Sequence, residues 1–149
     1  MTEQTLTIAV AAVVEVLSGE AAVGLVVRDG SGQVVRRIGK AIGPAPRALA
    51  AYRALLHALW RGRALGARRI RLLCDDRDLV AGVRGEAEVP PDLTGPYLQV
   101  RALLRAYQDA SVEAAAPEDV EEAAAMARTA LARKLRTVDT LPLWAARSA

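Results

Sequence analysis

The residues with the greatest capacity for chemistry stand together at Cys74-Asp75-Asp76, where a strand-like segment with apolar Ile70, Leu72 and Leu73 ends in two carboxylates. Such a pair, joined by another acid, can hold a hard divalent cation such as Mg²⁺ or Mn²⁺, which accepts one or two carboxylates and keeps most of its waters. The same pair can instead cap the helix whose pattern begins near Asp78, with an aspartate oxygen accepting from an otherwise unpartnered backbone N–H. Cys74 is the single cysteine, has no histidine near it in sequence, and reads as a small core residue and not as a nucleophile. The single histidine, His57, falls in a row with Arg53 and Arg61 spaced by four residues. That spacing gives one surface face of a helix, with no partner for a catalytic base.

Charge is unevenly distributed. Residues 28–71 carry eleven Lys or Arg against one Asp, whereas residues 72–127 carry twelve acids against four Arg. A basic block of this kind either attracts phosphate or solvates helix and strand faces. Arg47, Arg53, Arg61 and Arg63 are its candidate phosphate contacts; without interleaved aromatics the group does not suggest stacking on single strands. Arg is also enriched at protein interfaces, so a partner surface is an equal reading.

The elements that must position these residues follow from pattern. Thr5 to Leu17 is β-rich with apolar residues on both faces, as in a buried central strand. Ala21 to Arg28 is a second strand, Asp29-Gly30-Ser31-Gly32 a hairpin signal, and Gln33 to Ile42 a third strand. Gly43-Pro44-Ala45-Pro46 opens a helix over Arg47 to Leu65, whose apolar stripe is Leu49, Tyr52, Leu55, Leu56 and Leu59. Ala67 to Cys74 is a fourth strand. A short helix from Asp78 to Val83, a Pro-rich connection, a helix from Tyr97 to Tyr107, a strand at Ser111 to Ala115 and a helix from Pro117 to Leu135 complete the order. One domain spans 1–136, and residues 137–149 form a tail whose Leu141, Leu143 and Trp144 could dock on the body or on a second copy. Aromatics are 3% of the chain and Phe is absent, so the core must be aliphatic. The longest uncharged apolar run, Ile8 to Val14, is far short of the roughly 20 residues of a membrane span. Met1-Thr2-Glu3-Gln4 lacks the basic start of a secretory signal, and one cysteine gives no disulfide framework. The cytoplasm is the expected compartment.

This order resembles the ribonuclease H family over residues 6–133. Ala22-Val23-Gly24-Leu25-Val26-Val27 with the turn after it, Tyr52-Arg53-Ala54-Leu55-Leu56, Leu65-Gly66-Ala67-Arg68-Arg69-Ile70, Asp76-Arg77-Asp78-Leu79-Val80, Gly85-Glu86 and Pro96-Tyr97 carry the likeness in series. The fold implied is α/β, ribonuclease H-like, with a five-stranded mixed sheet in which an antiparallel meander precedes parallel strands. The resemblance also implies two-metal phosphodiester hydrolysis by four carboxylates, on the first strand, the first helix, the fourth strand and the last helix. Asp76 matches the strand-four acid, with Asp75 beside it. The first-helix Glu falls on Ala51 and the last-helix Asp on Ala124. A hairpin folded about Gly19 pairs Gly24 with Val14, which makes Glu15 the nearest first-strand acid. The paired Asn of the family align with Arg47 and Ala48, its basic loop with Ala87-Glu88-Val89-Pro90-Pro91, and its Pro-Arg-Glu with Pro117-Glu118-Asp119. Asp76, Asp75 and Glu15 are therefore the candidate metal ligands, and Asp76 and Glu15 the remnants of a catalytic set. The expectation is a catalytically inactive member with no cofactor that acts as a nucleic-acid-binding or interaction module, the nucleic acid being an RNA–DNA hybrid or a duplex. The alternatives are a Mg²⁺- or Mn²⁺-dependent nuclease cleaving the RNA of such hybrids with a rearranged site, and a protein-binding or self-associating scaffold that uses the tail.

Overall fold

The computed structural model of the protein describes residues 5–139, with side chains through residue 136. Three strands come first: β1 (Thr5–Val14), β2 (Glu20–Arg28) and β3 (Val34–Pro44). Helix α1 (Arg47–Ala64), strand β4 (Arg69–Cys74), helix α2 (Arg77–Val83), helix α3 (Thr94–Leu104) and strand β5 (Asp109–Ala114) follow, and α4 (Glu121–Asp139) ends the described chain. The sheet order is β3-β2-β1-β4-β5, antiparallel across β3, β2 and β1, then parallel from β1 to β4 and β5. The expected mixed sheet is therefore present. Helix α4 continues through Asp139 and so crosses the boundary expected between residues 136 and 137. Leu141, Leu143 and Trp144 lie outside the described residues.

Side-chain volume explains the layering. Ile8, Val10, Val23, Leu25, Leu55, Leu59 and Leu72 are all but inaccessible and fill the space between the sheet and α1. Burying each such side chain contributes about 1.5–3 kcal/mol. The opposite face is built from small residues. Ala9, Ala11 and Ala22 meet Ala123 and Ala127 of α4. A Cβ placed on Gly24 would lie 1.8 Å from the Ala123 carbonyl oxygen, and one on Gly39 2.3 Å from that of Met126. The helix backbone thus rests directly on β2 and β3, at positions only glycine can occupy. At the other end of α1, the Tyr107 hydroxyl donates to the Leu59 carbonyl and lies against Gly62.

The β1–β2 hairpin differs from the expected one. Its turn spans five residues, with Glu15 N–H donating to the Glu20 carbonyl and Gly19 N–H to that of Glu15. The centre falls between Leu17 and Ser18, so Gly24 pairs with Ala11, not Val14. Val16 and Leu17, expected in the strand, lie at the exposed tip. Helix α3 starts earlier than expected, at Thr94, because Pro96 falls in the first turn, where its missing N–H would have no intrahelical partner.

Candidate functional site

The open end of the parallel pair β1–β4 forms a pocket of about 500 Å³, lined by Val10, Ala11 and Ala12, by Arg47, Ala48, Ala51 and Ala54 of α1, and by the segment from Cys74 to Asp78. Parallel strands gather their carboxyl ends on one side, and a crevice there is where such sheets usually bind ligands. Asp76 caps α2: its Oδ1 accepts from the Leu79 N–H at 3.1 Å, and its carbonyl accepts from the Val80 N–H at 3.1 Å. The cap reading of this aspartate is therefore realised in the structure. Asp75 and Asp78 are exposed on the rim. Cys74 is buried, and that burial, ahead of smaller contributions from Asp76 and Asp75, pushes its thiol up to about 12. A thiol so held stays protonated at neutral pH and is a poor nucleophile. Burial, then Tyr97 and Asp76, also raises the Tyr52 hydroxyl above its ordinary value.

Glu15 is not part of this pocket. Its carboxylate accepts from the Leu17 and Ser18 N–H groups at 2.9 Å each, and the Leu17 bond followed by those of Ser18 holds its pKa below the ordinary value. It closes its own turn. The β1 residue that lines this pocket beyond the paired stretch is Ala12: the ladder ends at Val10 with Cys74, and Ala12 and Asp76 both border the cavity past that end. Ala12 and Ala51 both pack on the α1 side of the sheet. Ala124 lies on the opposite side, against the cluster of Ala9, Ala11 and Val26. Sequence reasoning missed Ala12, because an alanine carries no chemical signal and only the pairing register locates it.

A two-metal centre needs several carboxylates converging on ions about 3.5–4 Å apart. In this pocket β1 and α1 contribute Val10, alanines and Arg47 but no acid, and among the described residues no three His, Cys, Asp or Glu are grouped so as to hold a metal. The donor set does not fit such a centre. Glu88, Asp76 and Asp78 also border an adjoining groove floored by Tyr52, Leu79 and Leu93, which adds negative charge where a phosphate backbone would approach. If Asp76 serves as a cap, Asp76→Ala should lower stability by about 1 kcal/mol and Asp76→Asn should leave it nearly unchanged, since Asn caps as well as Asp. Urea unfolding of the two variants checks this, and equal losses would contradict the cap role.

The four candidate arginines are dispersed. Arg47 is on the pocket rim. Arg63, sixteen residues further along α1 and so about 24 Å away along the axis, neighbours Tyr107. Arg53 and Arg61 do share a face, with Lys40 beside them: burial first, then Lys40, Arg53 and Arg61, lowers the pKa of the half-buried His57. Trp60, half exposed, meets the His57 ring edge-to-face with centroids 5.5 Å apart. The expectation of a basic group without an aromatic is therefore corrected. Elsewhere the basic block is partly neutralised. Glu122 engages Arg28 at 3.4 Å and also binds Arg37, and Glu113 takes Arg71 through two bonds of 2.7 and 2.8 Å.

No helix among the described residues is long and apolar enough to cross a membrane. Residues 9–130 match the model of the family described as reverse transcriptase-like. Ribonuclease H1 of the halophilic archaeon Halobacterium salinarum is similar in structure, with a TM-score of 0.83 at 29% identity, covering 87% of this chain and 98% of that one. The N-terminal ribonuclease H domain of a Mycobacterium tuberculosis protein, solved fused to maltose-binding protein, gives 0.83 at 25% identity, covering 91% and 99%. LC11 ribonuclease H1 matches in fold, with a TM-score of 0.81 at 18% identity, covering 87% and 99%. No curated protein matches the sequence. Sequence, sheet order and structural neighbours agree: the chain belongs to the reverse transcriptase-like family and has the ribonuclease H fold.

Proposed function

We propose that this protein is a catalytically silent ribonuclease H-like domain that binds nucleic acid, and that it carries no resident metal. The observation behind this reading is that Ala12 and Ala51 line the same pocket as Asp76, where a phosphodiester-cleaving member would gather carboxylates. Asp76 caps α2 through one carboxylate oxygen, and among the described residues no further acids join it in a set that would activate water or stabilise a leaving oxygen. Binding draws support from the fold and from charge. LC11 ribonuclease H1, of the same fold, has been solved in complex with an RNA/DNA hybrid. Lys40, Arg53 and Arg61 here form a basic face away from the acidic pocket rim.

Incubating the purified protein with a labelled RNA–DNA hybrid in Mg²⁺ and in Mn²⁺ tests both parts. The expected result is binding that weakens steeply with salt, with the RNA strand left intact. Cleavage that disappears in Asp76→Asn would overturn the silent reading and favour a metal-dependent nuclease with a rearranged site. Failure to bind hybrid, duplex or single strand at low salt would overturn the nucleic-acid reading and leave a protein-binding role.

A further inference from the structure

The basic face of α1 has an aromatic centre. Arg53, His57 and Trp60 follow one another at the four- and three-residue spacing of a single helical face, and Arg61 adjoins them. Together with Leu56 and with Gln99 of α3, the first three line a shallow depression of about 260 Å³. Trp60 is 50% exposed, against 0–8% for the aliphatic and aromatic residues that α1 and β4 bury in the core, and its ring stands at 86° to that of His57. Lys40 of β3 shares its side of the sheet with Val23, its partner across the ladder and a member of the core beneath α1. Unlike Arg28, Arg37 and Arg71, none of Lys40, Arg53 and Arg61 forms a salt bridge among the described residues. Arg53 only approaches the Ile42 carbonyl, at 3.4 Å.

We propose that this face, with Trp60 at its centre and Lys40, Arg53 and Arg61 around it, binds single-stranded nucleic acid. One base stacks on the indole while the cations hold the flanking phosphates. An exposed ring beside uncompensated cations suits a strand whose bases are free, because every base presents a π face and stacking on protein aromatics tolerates any sequence. A duplex keeps its bases stacked on each other and offers the indole nothing comparable. The face is distinct from the Asp76 pocket, since Trp60 lies nine residues beyond Ala51, about 13 Å along the helix axis. The inference rests on the nucleic-acid reading above, and it names the surface and the ligand class.

Trp144→Phe leaves Trp60 as the only tryptophan and gives the surface its own signal. Titrating that variant with a thymidine homopolymer at low salt is expected to quench Trp60 emission saturably. Replacing both Arg53 and Arg61 by Ala should flatten the log–log salt dependence by about 1.4, from about 0.7 per single-strand phosphate contact. In the parent chain, read by anisotropy of a labelled homopolymer, Trp60→Ala should weaken binding about tenfold or more, and Trp60→Phe should recover part of the loss. Binding unchanged in Trp60→Ala, or saturable binding without quenching, would overturn the proposal. Hybrid binding without homopolymer binding would sink the proposal and spare the broader reading. Failure of every nucleic acid to bind would end both.

Discussion

Gly24→Ala is expected to cost about 3 kcal/mol or more, a large fraction of the roughly 5–15 kcal/mol that holds a typical domain folded. The new methyl would be 1.8 Å from the Ala123 carbonyl oxygen and 2.9 Å from the Ala127 nitrogen, both backbone atoms that no rotamer change can move. Helix α4 would have to lift from β2, exposing Ala22, Val26 and Ala127, all now inaccessible. Denaturant unfolding followed by circular dichroism measures the loss. Gly30→Ala is the control: nothing lies within 4 Å of a Cβ there and its φ is not in the left-handed region, so the change should be within about 0.5 kcal/mol. If Gly24→Ala were as mild as Gly30→Ala, the seat of α4 on β2 would be wrong.

The second large effect concerns the pocket. Ala12→Asp combined with Ala51→Glu would place two new carboxylates in the cavity that Asp76 already borders. Ala51 is only 8% exposed, so one new carboxylate is largely removed from water, and all three repel one another. In a chelator the double variant should therefore lose about 2 kcal/mol or more. A divalent cation should reverse this, since binding only to the folded state at a hundred times the dissociation constant restores about 2.7 kcal/mol. Thermal melts of parent and variant across a Mg²⁺ titration decide the matter. The melting temperature of the variant should rise with Mg²⁺ while that of the parent stays flat. A variant as stable as the parent and indifferent to Mg²⁺ would mean that the three positions do not face one another.

Much of this arrangement was legible in the sequence, and for definite reasons. Strong turn chemistry at Asp29-Gly30-Ser31-Gly32 and at Gly43-Pro44 fixed the meander and the start of α1, and the stripe from Tyr52 to Leu59 fixed the buried face of that helix. Asp76 could be placed because both readings of it required a strand end followed by a helix. The hairpin register could not be read, because Glu15 closes a wider turn through its side chain, and a shift of the turn centre from Gly19 to between Leu17 and Ser18 moves every pairing. That shift is why Glu15 looked like a site acid and Ala12 went unnoticed. Ala123 and Ala127 seemed mere helix formers until Gly24 and Gly39 appeared opposite them. Trp60 did leave a signal: it falls outside the Leu55–Leu59 stripe, in step with Arg53 and His57, and a helical projection of those residues would have found it.

The position of β3 has a consequence of its own. Among the described residues it is a sheet edge of eleven residues, with register shifts near both ends and no further strand paired on its outer side. Long open edges invite pairing between molecules, and charged side chains and bulges oppose it. Two copies meeting edge to edge would bring Arg36 and Lys40 of one against the same residues of the other, and like charges disfavour that approach. The positive charge of this edge thus works against edge-to-edge pairing, most strongly when no phosphate covers Lys40.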